Sequence, residues 1–129
     1  MRSGLGPRAL GRERVSVEET FGVDERNADD LAYLSVRGEL DLAAAPTLRE
    51  HLYAAVDRSS GPLIVDLLAV TFIDSTALGV LIGTRERCAE RGIELRLVLE
   101  DARIIKIFEI TGLTELFTMS PTVTEAAAR

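Results

Sequence analysis

Val65-Asp66-Leu67-Leu68-Ala69-Val70-Thr71-Phe72-Ile73-Asp74-Ser75-Thr76-Ala77-Leu78-Gly79-Val80-Leu81-Ile82 changes its hydrophobic period midway. Residues 62–67 form a short apolar run with β-branched members, the pattern of a strand buried on both faces. From Leu78 onward, apolar residues return at helical spacing, at Leu78, Leu81, Ile82, Cys88 and Ala89. The segment reads as strand, loop, helix, with Asp74 or Ser75 at the N-cap. A hydroxyl thus sits where first-turn N–H groups lack helical partners and the macrodipole is positive, a place suited to a phosphate. From local sequence alone the ordinary reading is that Asp74 and Ser75 cap the helix and do nothing more.

Outward from this turn, the pattern of elements sets the fold class. Val15, Val17, Phe21 and Val23 alternate, and 31–36 continues the strand chemistry after a polar tip at 24–30, so the two stretches read as a hairpin with a long loop. Gly38-Glu39-Leu40-Asp41 breaks the pattern ahead of a helix that has Pro46 in its first turn and Leu48, Leu52, Ala55 and Val56 on one face. Ser60-Gly61-Pro62 stops that helix. The helix after Ser75 ends near Arg91-Gly92. Residues 94–99 alternate as a strand with a more exposed face. A third helix spans 101–111 with Ile104, Ile107 and Phe108 inward and Gly112 at its end; 116–119 reads as a last short strand, and 121–128 as a final helix started by Pro121. Such alternation implies an α/β fold: a mixed sheet of roughly four to five strands, about four helices packed on it, and right-handed crossovers between parallel strands. In sheets of this kind ligands and partners meet the loops beyond the carboxyl ends of strands, where the Asp74-Ser75 turn falls.

Composition narrows the function classes. The 129 residues are 47% hydrophobic and 28% charged, which suits one globular domain. Residues 1–14, with three Gly, one Pro and four Arg, read as a loose arm or expression remnant, of which 1–12 are expected to be dispensable to stability, leaving 15–129 as the domain. A net charge of −6 argues against nucleic acid or an anionic membrane and toward a protein partner or small ligand. Cys88 is the lone cysteine, so neither a disulfide framework nor a thiol-based metal site is expected. With no signal peptide and no apolar run of spanning length, a soluble cytoplasmic chain is expected.

Few parts of an enzyme are present. Ser75 lacks a Gly-x-Ser-x-Gly setting, and His51, the one histidine, belongs to the first amphipathic helix, where it reads as a solvated residue. There is no Walker loop; Gly79-x-x-x-Gly83 reads as close packing of the helix on the sheet, and Cys88 as a small core residue. No cofactor or metal is implied. Asp41 is either a turn residue or part of a site. Asp66, in an otherwise apolar strand, needs donors or a strand end, and Asp41, Asp66 and Asp74 are candidates to converge near Ser75.

The chain resembles the STAS-domain anti-sigma factor antagonists, bacterial regulators that act by partner switching. The resemblance covers residue 15 to the end and rests on three blocks. These are Gly38-Glu39-Leu40-Asp41 ahead of Pro46-Thr47-Leu48; Val65-Asp66-Leu67 leading to Phe72-Ile73-Asp74-Ser75-Thr76-Ala77-Leu78-Gly79; and Phe108-Glu109-Ile110-Thr111-Gly112-Leu113 before Leu116-Phe117. It implies a STAS fold and an antagonist that binds an anti-sigma factor of the GHKL serine-kinase type, frees a sigma factor, and is inactivated when that kinase phosphorylates a serine. By position Ser75 is the phosphoacceptor, and Asp41, Asp74, Thr76 and Ala77 belong to the partner-binding surface. Many members have Gly where this chain has Ala77, a change expected to favour the helix and tighten access to Ser75. An unphosphorylated STAS scaffold or ligand sensor is the alternative among binding modules, and a small serine-dependent enzyme the alternative from another class.

Overall fold

The computed structural model describes residues 20–28 and 31–129; the expected arm at 1–14 and the strand positions Val15 and Val17 lie outside the described residues. Strand β1 (Phe21–Ala28) pairs antiparallel with β2 (Leu31–Leu40). The strand thus runs on through most of the polar stretch expected as a loop. Asp24, Glu25 and Arg26 are exposed, and charged side chains are at home on an edge strand. Likewise Gly38, Glu39 and Leu40 do not break the chain but complete β2, and only Asp41 turns it.

Helix α1 (Ala45–Arg58) follows, with Pro46 in its first turn and Leu48, Leu52, Ala55 and Val56 buried as their spacing implies. Then come β3 (Leu63–Ile73), α2 (Ser75–Glu90), β4 (Leu95–Val98), α3 (Ala102–Ile110), β5 (Thr118–Ser120) and α4 (Val123–Ala128). The sheet order is β1-β2-β3-β4-β5, with every pair parallel except the first. Mixed sheet, hairpin and crossovers therefore stand as the alternation of elements implied.

Strand β3 departs from the expected strand and loop, for it continues from Leu67 to Ile73. Its pairing with β2 skips a residue twice, between Ser35 and Arg37 and again between Gly38 and Glu39. At each irregularity two successive β3 residues turn away from the core, Leu68 with Ala69 and Thr71 with Phe72, while Leu67, Val70 and Ile73 stay buried. Bulges insert a residue and reset the alternation, so a strand with two of them loses the period of two that marks strands in sequence.

Strand β4 is buried throughout instead of presenting an exposed face. Helix α4 covers the sheet there: Ile64, Val98 and Ala126 form a second small cluster, with Leu31, Tyr33, Val123 and Ala127 against it. Arg96 is buried as well; its Nη1 donates to the Ala126 carbonyl at 3.0 Å and its Nη2 pairs with Glu94 at 3.0 Å, which satisfies a charge that burial would otherwise penalise. Thr122, not Pro121, caps α4, its Oγ1 accepting from the Glu125 N–H at 3.1 Å. In α3, Ile104 and Phe108 are buried, and the Phe108 ring meets Phe117 edge-on at 5.8 Å. Asp101 caps this helix, and the Arg103 guanidinium beside it holds its carboxyl down at about 2.

Candidate functional site

Strands β2 and β3 end side by side, Leu40 opposite Ile73, and the Asp74 N–H donates to the Leu40 carbonyl at 3.1 Å. The loop into α1 and the loop into α2 are thereby tied together at the carboxyl end of the sheet. Asp74 is the N-cap of α2: extended in backbone, it accepts the Ala77 N–H on Oδ1 at 3.0 Å while its carbonyl takes the Leu78 N–H at 3.0 Å. Asp41 builds the neighbouring turn, its Oδ1 accepting the Ala44 N–H at 3.1 Å and its carbonyl the N–H groups of Ala44 and Ala45.

These bonds settle which residue caps and which is free. Ser75 is the first residue of α2, exposed, and among the described residues its hydroxyl makes no hydrogen bond. The cap belongs to Asp74, so the hydroxyl carries no structural duty. No acidic residue lies in the first turn of α2, which leaves the positive helix end uncompensated beyond the cap itself.

The structure brings Asp41, Asp74, Ser75 and the half-buried Thr76 to one rim. Asp66 is not among them. It lies mid-strand where β3 pairs with Ser35, seven residues of strand or roughly 20 Å from Ile73, and its Oδ1 accepts the Leu68 N–H at 2.9 Å, so it serves the bulge. Ala77 is fully buried in the core, so its methyl neither reaches the surface nor narrows access to Ser75.

Gly79 reverses its sequence reading. It is exposed, and a Cβ placed on it would meet nothing within 4 Å; Gly83 is the close-packed glycine, against Tyr53 of α1 and not against the sheet. One turn after Ser75 on the same helix face, Gly79 leaves the helix surface beside the hydroxyl bare. Gly79→Ala should therefore stabilise the protein by roughly 0.5–1 kcal/mol, read as a higher urea midpoint; an unchanged or lower midpoint would mean that this face is covered.

Sequence reasoning missed two members of this end of the sheet. Leu42, beside Asp41, is 71% exposed, and Phe72, opposite Glu39 and three residues before Ser75, is 48% exposed. Leu42 follows a turn residue, and that was its only signal; Phe72 was concealed by the bulge that turns it outward.

Elsewhere the chemistry is quiet. His51 is partly exposed, its Nδ1 3.9 Å from Glu25 Oε2, in a cleft lined by Val23, Asp24, Glu50 and Arg58 that does not include Ser75. Cys88 is buried, and burial pushes its thiol up to about 11, so the reactive thiolate is scarce at neutral pH. Among the described residues no cluster of His, Cys, Asp and Glu could hold a metal ion, and no helix is long and apolar enough to cross a membrane.

The family model for the STAS domain matches residues 23–126. The chain belongs to the STAS domain family. Curated relatives within it are named anti-sigma factor antagonists. This STAS domain is 34% identical over 100 residues to the anti-sigma-B factor antagonist of Bacillus subtilis (strain 168), covering 78% of this chain and 91% of that protein. It is 29% identical over 125 residues to the anti-sigma-F factor antagonist RsfA of Mycobacterium tuberculosis (strain H37Rv), covering 95% and 97%. Among solved structures, an anti-sigma factor antagonist from Mycobacterium paratuberculosis superposes with a TM-score of 0.79 at 28% identity, over 88% of this chain and 97% of that one. The STAS domain thus carries its exposed serine at the carboxyl end of a sheet shared with proteins named for regulating anti-sigma factors.

Proposed function

We propose that the protein is an anti-sigma factor antagonist whose docking face is the rim formed by the loops after β2 and β3, and that phosphorylation of Ser75 switches it off. The partner is an anti-sigma factor of the GHKL serine-kinase type. One observation carries the reading: Ser75 is exposed at the start of α2 with no hydrogen bond from its hydroxyl among the described residues, while Asp74 does the capping. A kinase can take that hydroxyl without unmaking a cap, and the helix end accepts the added charge. The names of the relatives supply the partner class. The cleft around His51 excludes Ser75, which favours a regulatory hydroxyl over a catalytic one.

Incubation with ATP and the cognate anti-sigma kinase, followed by intact mass, tests this directly. One phosphate should be added to the protein and none to Ser75→Ala; no transfer to the folded protein, or transfer that persists in Ser75→Ala, would refute the assignment.

Asp41 contributes from the other loop. Asp41→Ala should cost about 1 kcal/mol, the worth of its lost hydrogen bond to the Ala44 N–H, and weaken binding to the anti-sigma factor on the order of tenfold. A stable variant that binds as tightly as the unaltered protein would remove Asp41 from the docking face.

A further inference from the structure

Gly79 is a glycine that neither its backbone nor its packing demands. It lies within α2, its φ is not positive, and a Cβ on it would meet nothing within 4 Å. Inside a helix a glycine destabilises relative to alanine, so the fold loses by its presence. What the missing side chain changes is the surface over Ser75. Helical Cα–Cβ bonds tilt toward the N-terminus, and side chains three and four residues on lie back over the preceding turn. For Ser75 those positions are 78 and 79. Leu78 is buried in the core, which leaves 79, about 6 Å along the axis, as the position on α2 whose side chain would lie over the hydroxyl. No charged residue occurs on α2 before Arg85, and the Arg85 Nε donates to the Leu116 carbonyl at 2.7 Å. Ser75 therefore stands uncovered by its own helix.

We propose that residue 79 sets access to Ser75, and that glycine there keeps open the space a kinase must enter. This rests on the reading of Ser75 as phosphoacceptor and adds the residue that governs the approach to it. In the transfer the Ser75 oxygen bonds to the γ-phosphorus of ATP as the bond to the β–γ bridging oxygen breaks; ADP leaves, and the hydroxyl proton passes to a base supplied by the kinase. The attacking and leaving oxygens lie roughly in line, so nucleotide and enzyme together occupy the volume directly beyond the hydroxyl. A side chain leaning back from position 79 would share that volume. A long one obstructs the alignment, and a methyl barely reaches it.

Two rates test it. With Ser75→Cys as the probe and Cys88 buried, modification by a bulky neutral maleimide reports access with no anti-sigma factor present. Adding Gly79→Gln should slow that reaction about fivefold or more, whereas Ala89→Gln, exposed on the same helix roughly four turns beyond Ser75, should leave it unchanged. With Ser75 in place, kcat/KM for phosphorylation by the cognate anti-sigma kinase should fall about tenfold or more in Gly79→Gln and Gly79→Leu, and stay within about threefold in Gly79→Ala. The urea midpoint should rise in all three, so the lost rate is not lost folding. Equal maleimide or phosphorylation rates with glycine and glutamine at position 79, a matching loss in Ala89→Gln, or a midpoint that fails to rise would each overturn the proposal while leaving Ser75 as the acceptor. Absence of transfer to the unaltered protein, or transfer that persists in Ser75→Ala, is instead the failure of the acceptor reading and takes this inference with it.

Discussion

Phosphorylated at Ser75, the protein should bind its anti-sigma factor on the order of a hundredfold more weakly than the unmodified protein, with its thermal midpoint nearly unchanged. The two halves of this expectation come from opposite sides of the same hydroxyl. On the protein side, Ser75 begins α2, where the Asp74 cap takes only the Ala77 N–H, so about −1.5 to −2 charge meets the remaining first-turn N–H groups and the positive helix end. On the partner side, a surface shaped to a neutral hydroxyl meets bulk and charge next to Asp74 and Asp41. A misplaced desolvated charge at an interface costs several kcal/mol, enough for two or more decades of affinity. Ser75→Glu should repeat the weakening with near-native stability, and Ser75→Ala should remain bound in the presence of ATP. Calorimetry with the cognate anti-sigma factor decides the matter, and equal affinities for the two forms would sink the mechanism.

The largest effect on stability is expected at Gly38. Gly38→Ala should cost at least ~3 kcal/mol, well beyond a backbone penalty of about 1–2 kcal/mol for a positive φ. Gly38 has φ 94°, and a Cβ on it would overlap the Thr20 carbonyl and stand 2.9 Å from the Phe21 Cα, both backbone groups that no rotamer can move. It also sits where β1, β2 and β3 join, opposite Phe21 on one side and Val70 on the other, at the second register irregularity. Gly92 provides the comparison: its φ is 72°, but a Cβ there meets nothing within 4 Å, so Gly92→Ala should lose only the conformational term of about 1 kcal/mol. Urea unfolding of the two variants separates strain from overlap. Losses within ~0.5 kcal/mol of each other would mean that the strands yield to the added methyl.

Much of the candidate rim is written in local sequence because its chemistry is local. Asp74 as a cap and Ser75 after it follow from a polar pair ahead of an apolar helical stripe, and both stand there. The stripe of α1 at Leu48, Leu52, Ala55 and Val56, and that of α3 at Ile104 and Phe108, are buried because a helix packs by its own period whatever it packs against. Strand β3 is another matter. Its course depends on where β3 carries an extra residue against β2, and no property of residues 68–73 alone records that. The same non-local pairing turns Phe72 outward and leaves Asp66 far from Ser75. The exposed face expected of β4 is closed by α4, an element some thirty residues later, which reaches back to Arg96. Nor does a GxxxG spacing say which glycine is crowded: Tyr53 from α1 makes Gly83 the packed one and leaves Gly79 open beside the serine. Sequence by itself determined the capped helix start, the serine on it and the order of elements, since each depends on neighbours within a turn. Tertiary structure alone decided which faces are covered and which residues surround that serine, since those depend on strands and helices that meet only after folding.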